Sequence, residues 1–100
     1  MKQVKIAIMG IGTVGGGTYE ILTGNREFIK NTRGLDIEVK KILDRSVENV
    51  TARGIDAKKA CTDLSEIVND PEISIVVETM GGVEPARTFI LRALAAGKSV

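Results

Sequence analysis

The sequence predicts an α/β fold, a doubly wound parallel sheet with helices on both faces, and three observations carry that prediction. An apolar run near the N-terminus, Val4 to Met9, reads as a strand buried on both faces. A glycine-rich turn follows it directly and opens a stretch with helical periodicity. From there strand-like and helix-like segments alternate to the end, the order that right-handed crossovers between parallel strands require.

Each segment has a local reason. Val14, Thr18, Ile21, Leu22, Phe28 and Ile29 recur at helical spacing, with Gly24 and Asn25 interrupting the helix. Asn31 to Asp36 reads as a polar connection containing Gly34, and Ile37, Val39, Ile42 and Leu43 as the second strand. Ser46 to Ala57 is polar and weakly periodic, with room for a short helix. Lys59 to Thr62 reads as a brief third strand. Asp63 with Glu66 three residues on has the capping-box pattern, and Leu64, Ile67 and Val68 form that helix's apolar side. Asn69-Asp70-Pro71 stops it. Ile73 to Val77 is the next buried strand, rich in β-branched residues. Pro85 suits a first helical turn, and Ala86, Phe89, Ile90, Ala93 and Leu94 give the last helix its face, closed by Gly97. The expected strand order is 3-2-1-4. Gly97-Lys98-Ser99-Val100 looks like the opening of another strand, so residues 1–100 are expected to be an N-terminal portion of a longer protein, its sheet truncated near the fifth strand.

Composition removes several function classes. With 43% hydrophobic and 27% charged residues the chain has ordinary globular usage, and 100 residues suffice for one core. Fourteen basic and 13 acidic residues are mixed along it, leaving no electrostatic footprint for nucleic acid or anionic lipid. No apolar run is long enough to span a bilayer, and the N-terminus does not fit a signal peptide, so a cytoplasmic location is expected. Cys61 is the single cysteine and there is no histidine. A disulfide within the chain is therefore impossible, a metal site is not expected, and Cys61 reads as a small buried hydrophobe.

The strongest chemical signal is Gly10-Ile11-Gly12-Thr13-Val14-Gly15, a G-x-G-x-x-G run between strand and helix. In a Rossmann-type domain Gly10 allows the tight turn, Gly12 lets a pyrophosphate approach the backbone, and Gly15 lets helix and strand pack closely. The helix start then offers free amide hydrogens and partial positive charge to phosphates. Gly16 and Gly17 extend the run and allow still closer approach. Asp44, after the second strand, would accept hydrogen bonds from an adenosine ribose and favour NAD; Arg45 beside it would pair with a 2′-phosphate and favour NADP. The pair leaves both cofactors open. Lys58 and Lys59 are either further phosphate contacts or solvated surface charges. Glu78-Thr79-Met80-Gly81-Gly82 follows the fourth strand at the carboxyl edge, where open α/β sheets bind ligands. Gly81 and Gly82 either bring backbone close to a nicotinamide ribose or simply turn the chain ahead of Pro85, and Glu78 either contacts the ligand or is solvated.

These residues resemble a known family. Val4 to Gly15, Ile75-Val76-Val77-Glu78-Thr79-Met80-Gly81-Gly82, Glu84-Pro85-Ala86-Arg87 and Leu91 to Val100 together are similar to the N-terminal NAD(P)-binding domain of bacterial homoserine dehydrogenase. The resemblance covers essentially the whole chain. It implies reversible, NAD(P)-dependent interconversion of aspartate 4-semialdehyde and homoserine, within the pathway to threonine, methionine and isoleucine. It places Ile11, Gly12, Thr13 and Val14 against the pyrophosphate, matches Arg45 to the family's arginine after the second strand, and sets Met80 and Gly81 near the nicotinamide ribose. Asp44 departs from members with an apolar residue there, which counts against a pure NADP preference. The family's Thr-Ala-Asn-Lys segment and its catalytic lysine would lie beyond Val100, so no catalytic residue is expected here, and the small-molecule substrate would be held mainly by a second domain. Family members are commonly homodimers. Two other readings stand beside this one: an NAD-sensing regulatory domain without catalysis, and the cofactor domain of a dehydrogenase acting on another semialdehyde.

Overall fold

Alternation along the first strand sets the layers. In the computed structural model, which describes residues 1–82 and 84–100, β1 (Lys2–Met9) sends Ile6 and Ile8 to one face of a sheet and Ala7 and Met9 to the other, all four buried. A strand apolar on both faces needs cover on both. On the Ile6/Ile8 side lie α1 (Thr13–Gly24) and α3 (Val47–Thr51), contributing Tyr19, Leu22 and Val50. On the other lie α4 (Ser65–Val68) and α5 (Ala86–Ala95), contributing Ile67 and Ala93.

The sheet also contains β2 (Leu35–Leu43), β3 (Ala60–Cys61) and β4 (Ile73–Glu78) in the spatial order β3-β2-β1-β4. β1 pairs in parallel with both β2 and β4, and β2 with β3. The expected order and direction are both found. Beyond β4, Ser99 makes a parallel bridge to Ile75, with Val76 N–H donating to Ser99 O at 2.8 Å and Ser99 N–H to Ser74 O at 2.9 Å. The Gly97–Val100 stretch thus takes up a strand pairing, as its composition predicts. Ahead of that bridge the Lys98 side chain is buried, its ammonium donating to Asp70 O at 2.8 Å and Ile73 O at 2.6 Å.

Some local details differ from the sequence reading. The long first helix is two helices, α1 and α2 (Arg26–Arg33), with Asn25 between them, the break that Gly24 and Asn25 suggest. β2 begins at Leu35, so Asp36 belongs to the strand instead of the polar connection. Asp36 is buried because Arg26 on α2 reaches it, Nε to Oδ1 at 2.6 Å and Nη2 to Oδ2 at 3.1 Å. The capping box does not form: Asp63 Oδ1 accepts Ser65 N–H at 2.9 Å, two residues on, while Glu66 turns toward Lys41 at 3.9 Å. Cys61 is buried, and loss of solvation pushes its thiol up to about 11, which suits an inert core residue.

Ion pairs clip the sheet at the start of β4. Lys40 Nζ lies 2.6 Å from both Asp70 Oδ2 and Glu72 Oε1, and Lys5 Nζ lies 3.0 Å from Glu72 Oε2. Hydrogen bonds from Lys40 hold Asp70 and Glu72 below the ordinary carboxylate range, and Arg26 does the same for Asp36. A carboxyl depressed in the folded state stabilises it above the unfolded value and loses that contribution as pH falls through the folded one. The thermal midpoint is therefore expected to stay level from pH 7 to about 5 and to drop as pH passes below 3.8, the ordinary aspartate value. Asp70→Asn should start lower at pH 7 and fall less steeply in acid. Parallel curves for the two proteins would exclude Asp70 from the acid response.

Candidate functional site

The carboxyl ends of β1, β2 and β4 meet at one edge, and a cleft of about 380 Å³ opens there. Its floor is the turn out of β1. Gly10 takes a left-handed backbone, φ +96°, and a Cβ on it would sit 2.9 Å from Met80 Cγ. Gly15, one turn into α1, faces the Gly10 carbonyl so closely that no side chain fits between them. The two glycines seat the helix start on the strand end. Gly12, by contrast, has φ −58° and nothing within 4 Å of the place a Cβ would occupy. No protein atom crowds that place, and Gly12 lines the cleft.

The first helical bond of α1 is Gly16 N–H to Gly12 O at 2.7 Å, which leaves the amides of Thr13, Val14 and Gly15 outside the helical ladder. No acidic residue stands in that first turn to neutralise the positive end of the helix dipole. Gly16 is not open to a ligand as the glycine run suggested: the Arg53 guanidinium packs against it, where a Cβ would otherwise be. That glycine serves packing between α1 and the segment after α3.

The far wall comes from the end of β4. Thr79 N–H donates to Met9 O at 3.0 Å, and its hydroxyl lies 2.9 Å from both Met9 O and Gly10 O. Glu78 Oε1 accepts Met80 N–H at 2.6 Å and Gly81 N–H at 3.1 Å, so this carboxylate shapes its own loop and is not simply solvated. Met80 and Gly81 line the cleft as a result. The near wall is the end of β2. Asp44 Oδ1 accepts Ile11 N–H at 3.3 Å, while Oδ2 accepts Ser46 N–H at 3.2 Å and the Asn49 side-chain amide at 2.6 Å. Arg45 is exposed at the mouth.

Of the residues singled out from sequence, Gly10, Ile11, Gly12, Asp44, Arg45, Met80 and Gly81 thus line one cleft. Thr13, Val14 and Gly15 form the helical turn bordering it. Lys59 stands apart: its Nζ donates to Val39 O at 2.7 Å, four residues back from the carboxyl end of β2. Its ammonium is engaged with a backbone carbonyl, and Lys59 is not among the residues lining the cleft. Thr62, Thr79, Glu84 and Phe89 also line the cleft, and none was singled out. Thr79 had a local signal, since it falls inside the segment that follows β4.

A parallel sheet of order 3-2-1-4, with a glycine turn feeding a helix at its carboxyl edge, makes this a Rossmann-type nucleotide-binding domain. The family model described as "Homoserine dehydrogenase, NAD binding domain" matches residues 10–100, and the chain belongs to that family. It is 44% identical over 103 residues to homoserine dehydrogenase of Methylobacillus glycogenes, covering 100% of this chain and 24% of that one. With homoserine dehydrogenase of Synechocystis sp. it shares 45% over 100 residues, 97% of this chain and 22% of the relative. The crystal structure of S. aureus homoserine dehydrogenase at pH 7.5 superimposes with TM-score 0.88 at 38% identity, over 97% of this chain and 25% of that one. The chain spans about a quarter of the length of the relatives it matches.

The geometry separates two glycines by experiment. Gly15→Ala forces α1 off the end of β1 and is expected to lower the thermal midpoint by roughly 4–24 °C, the response of a small domain to a loss of about 1–3 kcal/mol. Gly12→Val should leave the midpoint nearly unchanged while weakening dinucleotide binding. Thermal melts and titrations with NADH, read by nicotinamide fluorescence, check both; a destabilised Gly12→Val would show that Gly12 is kept for folding.

Proposed function

We propose that this chain is the cofactor-binding domain of a homoserine dehydrogenase, which interconverts aspartate 4-semialdehyde and homoserine with NAD or NADP. The observation that carries the reading is the cleft itself. Unbonded helix-start amides, the free space at Gly12, and the Asp44/Arg45 pair converge there, in a chain of this family. The donor set suits a dinucleotide: amides and a dipole for the pyrophosphate, a carboxylate and a guanidinium at the ribose end. When bound, the nicotinamide dinucleotide supplies or takes up the hydride exchanged with the substrate's C4 carbon.

The chain's own residues bind and orient. Gly10 to Gly15 cradle the pyrophosphate, Asp44 accepts from the adenosine ribose, and Arg45 pairs with a 2′-phosphate. Met80 and Gly81 stand beside the nicotinamide ribose. Residues 1–100 form one such domain, and the proton donor and the substrate's recognition groups belong to a separate substrate domain. A homodimer and a cytoplasmic location are part of the same proposal, and both rest on the family resemblance.

Two measurements test it. The 100-residue chain is expected to bind NADH and NADPH yet give no homoserine-dependent reduction of either oxidised cofactor; turnover by this chain alone would overturn the placement of the catalytic groups elsewhere. Arg45→Ala should weaken NADPH by about 1–3 kcal/mol, the loss of one charge-assisted contact, and leave NADH nearly unaffected. Equal losses for both would remove Arg45 from the reading of the 2′-phosphate.

A further inference from the structure

Asp44 is the most heavily engaged carboxylate in the cleft, and its partners differ in kind. Ile11 and Ser46 reach it with backbone amides, fixed by the glycine turn and by the start of α3. Asn49 reaches it with a side chain from within α3, and at 2.6 Å this is the shortest of the three contacts. An ionised carboxylate only accepts, so Asn49 presents its NH₂ group to Oδ2. Oδ2 then holds two donors and is saturated. Oδ1 holds one, the Ile11 amide, and keeps one lone pair free in a residue that lines the cleft.

We infer that Asn49 is a positioning residue that sets the preference between NAD and NADP by restricting Asp44 to a single ribose hydroxyl. The inference rests on the cofactor reading above and goes beyond it, because Asn49 does not line the cleft and acts through Asp44. A carboxylate with both oxygens free can accept from both hydroxyls of a ribose diol. With Oδ2 occupied, Asp44 takes only one of the two hydroxyls, and its attraction for NAD is reduced. The same three donors draw charge density away from the face that a 2′-phosphate would meet, which reduces repulsion of NADP. Arg45, exposed at the mouth, is then free to attract that phosphate. Removing the Asn49 amide works against both effects: Oδ2 keeps only the Ser46 amide, so Asp44 regains a lone pair and the freedom to turn it toward the diol, and the carboxylate is less screened against phosphate. The two consequences have the same sign, toward NAD.

The test compares wild type with Asn49→Ala and Asn49→Leu, both at an exposed position whose backbone any residue can adopt. NADH and NADPH are titrated separately by nicotinamide fluorescence, and thermal melts are run alongside. The ratio of the two dissociation constants is expected to move toward NADH by on the order of tenfold, the low end of the worth of one hydrogen bond to a charged group. In an Asp44→Ala background the same Asn49 substitutions should leave the ratio unchanged. A merely structural role would weaken both cofactors by one factor and leave the ratio where it was; that result, or a shift that persists without Asp44, overturns the inference while leaving the cofactor reading intact. Wild-type protein that binds neither dinucleotide would overturn the cofactor reading, and the inference with it.

Discussion

The Gly10 carbonyl is the point on which the rest of the structure depends. It lies between the end of β1 and the first turn of α1, and Gly15 offers it only backbone. The Thr79 hydroxyl closes on the same oxygen from the end of β4. Three elements therefore meet at one atom, and none of the meetings tolerates an added side chain or a missing hydroxyl without displacement. Because helix and strand are in direct contact, the uncapped end of α1 sits beside the carboxyl edge of the sheet, with Gly12 lining the cleft. The cleft follows from that contact.

The two ends of the sheet divide the work. Below the start of β4, Lys5, Lys40, Asp70 and Glu72 satisfy one another, and Lys98 donates to two backbone carbonyls. That end is electrically closed. At the other end the charges are deliberately incomplete: helix-start amides lack acceptors, and Arg45 lacks a carboxylate partner among the described residues. Ion pairs are concentrated at one end of the sheet, and unsatisfied bonding capacity at the end that carries the cleft.

What could be read from sequence was whatever is encoded locally. The glycine turn, the capping Asp63 and the strand–helix alternation each depend on residues a few positions apart, and each was legible together with the sheet order. What could not be read depends on partners far along the chain. Asp36 looked like loop because a lone aspartate favours one; Arg26, ten residues earlier, makes it a buried strand residue. Lys59 was open between a phosphate contact and a solvated surface charge, and its reach back to Val39 depends on where β3 docks. Gly16 belonged to the glycine run by sequence and to Arg53 by packing. Asn49 had no motif at all, and its importance appears only once Asp44 has been placed.

The position of β1 has a consequence for how the protein is made. β1 is synthesised ahead of the strands it pairs with and becomes an inner strand of the sheet, with β2 on one side and β4 on the other. β2 arrives soon, but the residue that latches the far side, Thr79, is separated from Met9 by 70 positions. At about 5–20 residues per second, translation leaves that side of β1 unpaired for roughly 4–14 s. During that interval a strand apolar on both faces presents a bare row of amides and carbonyls to any neighbouring chain. Lys2 and Lys5 fall within that strand, and their like charge on every nascent copy opposes edge-to-edge pairing until β4 emerges.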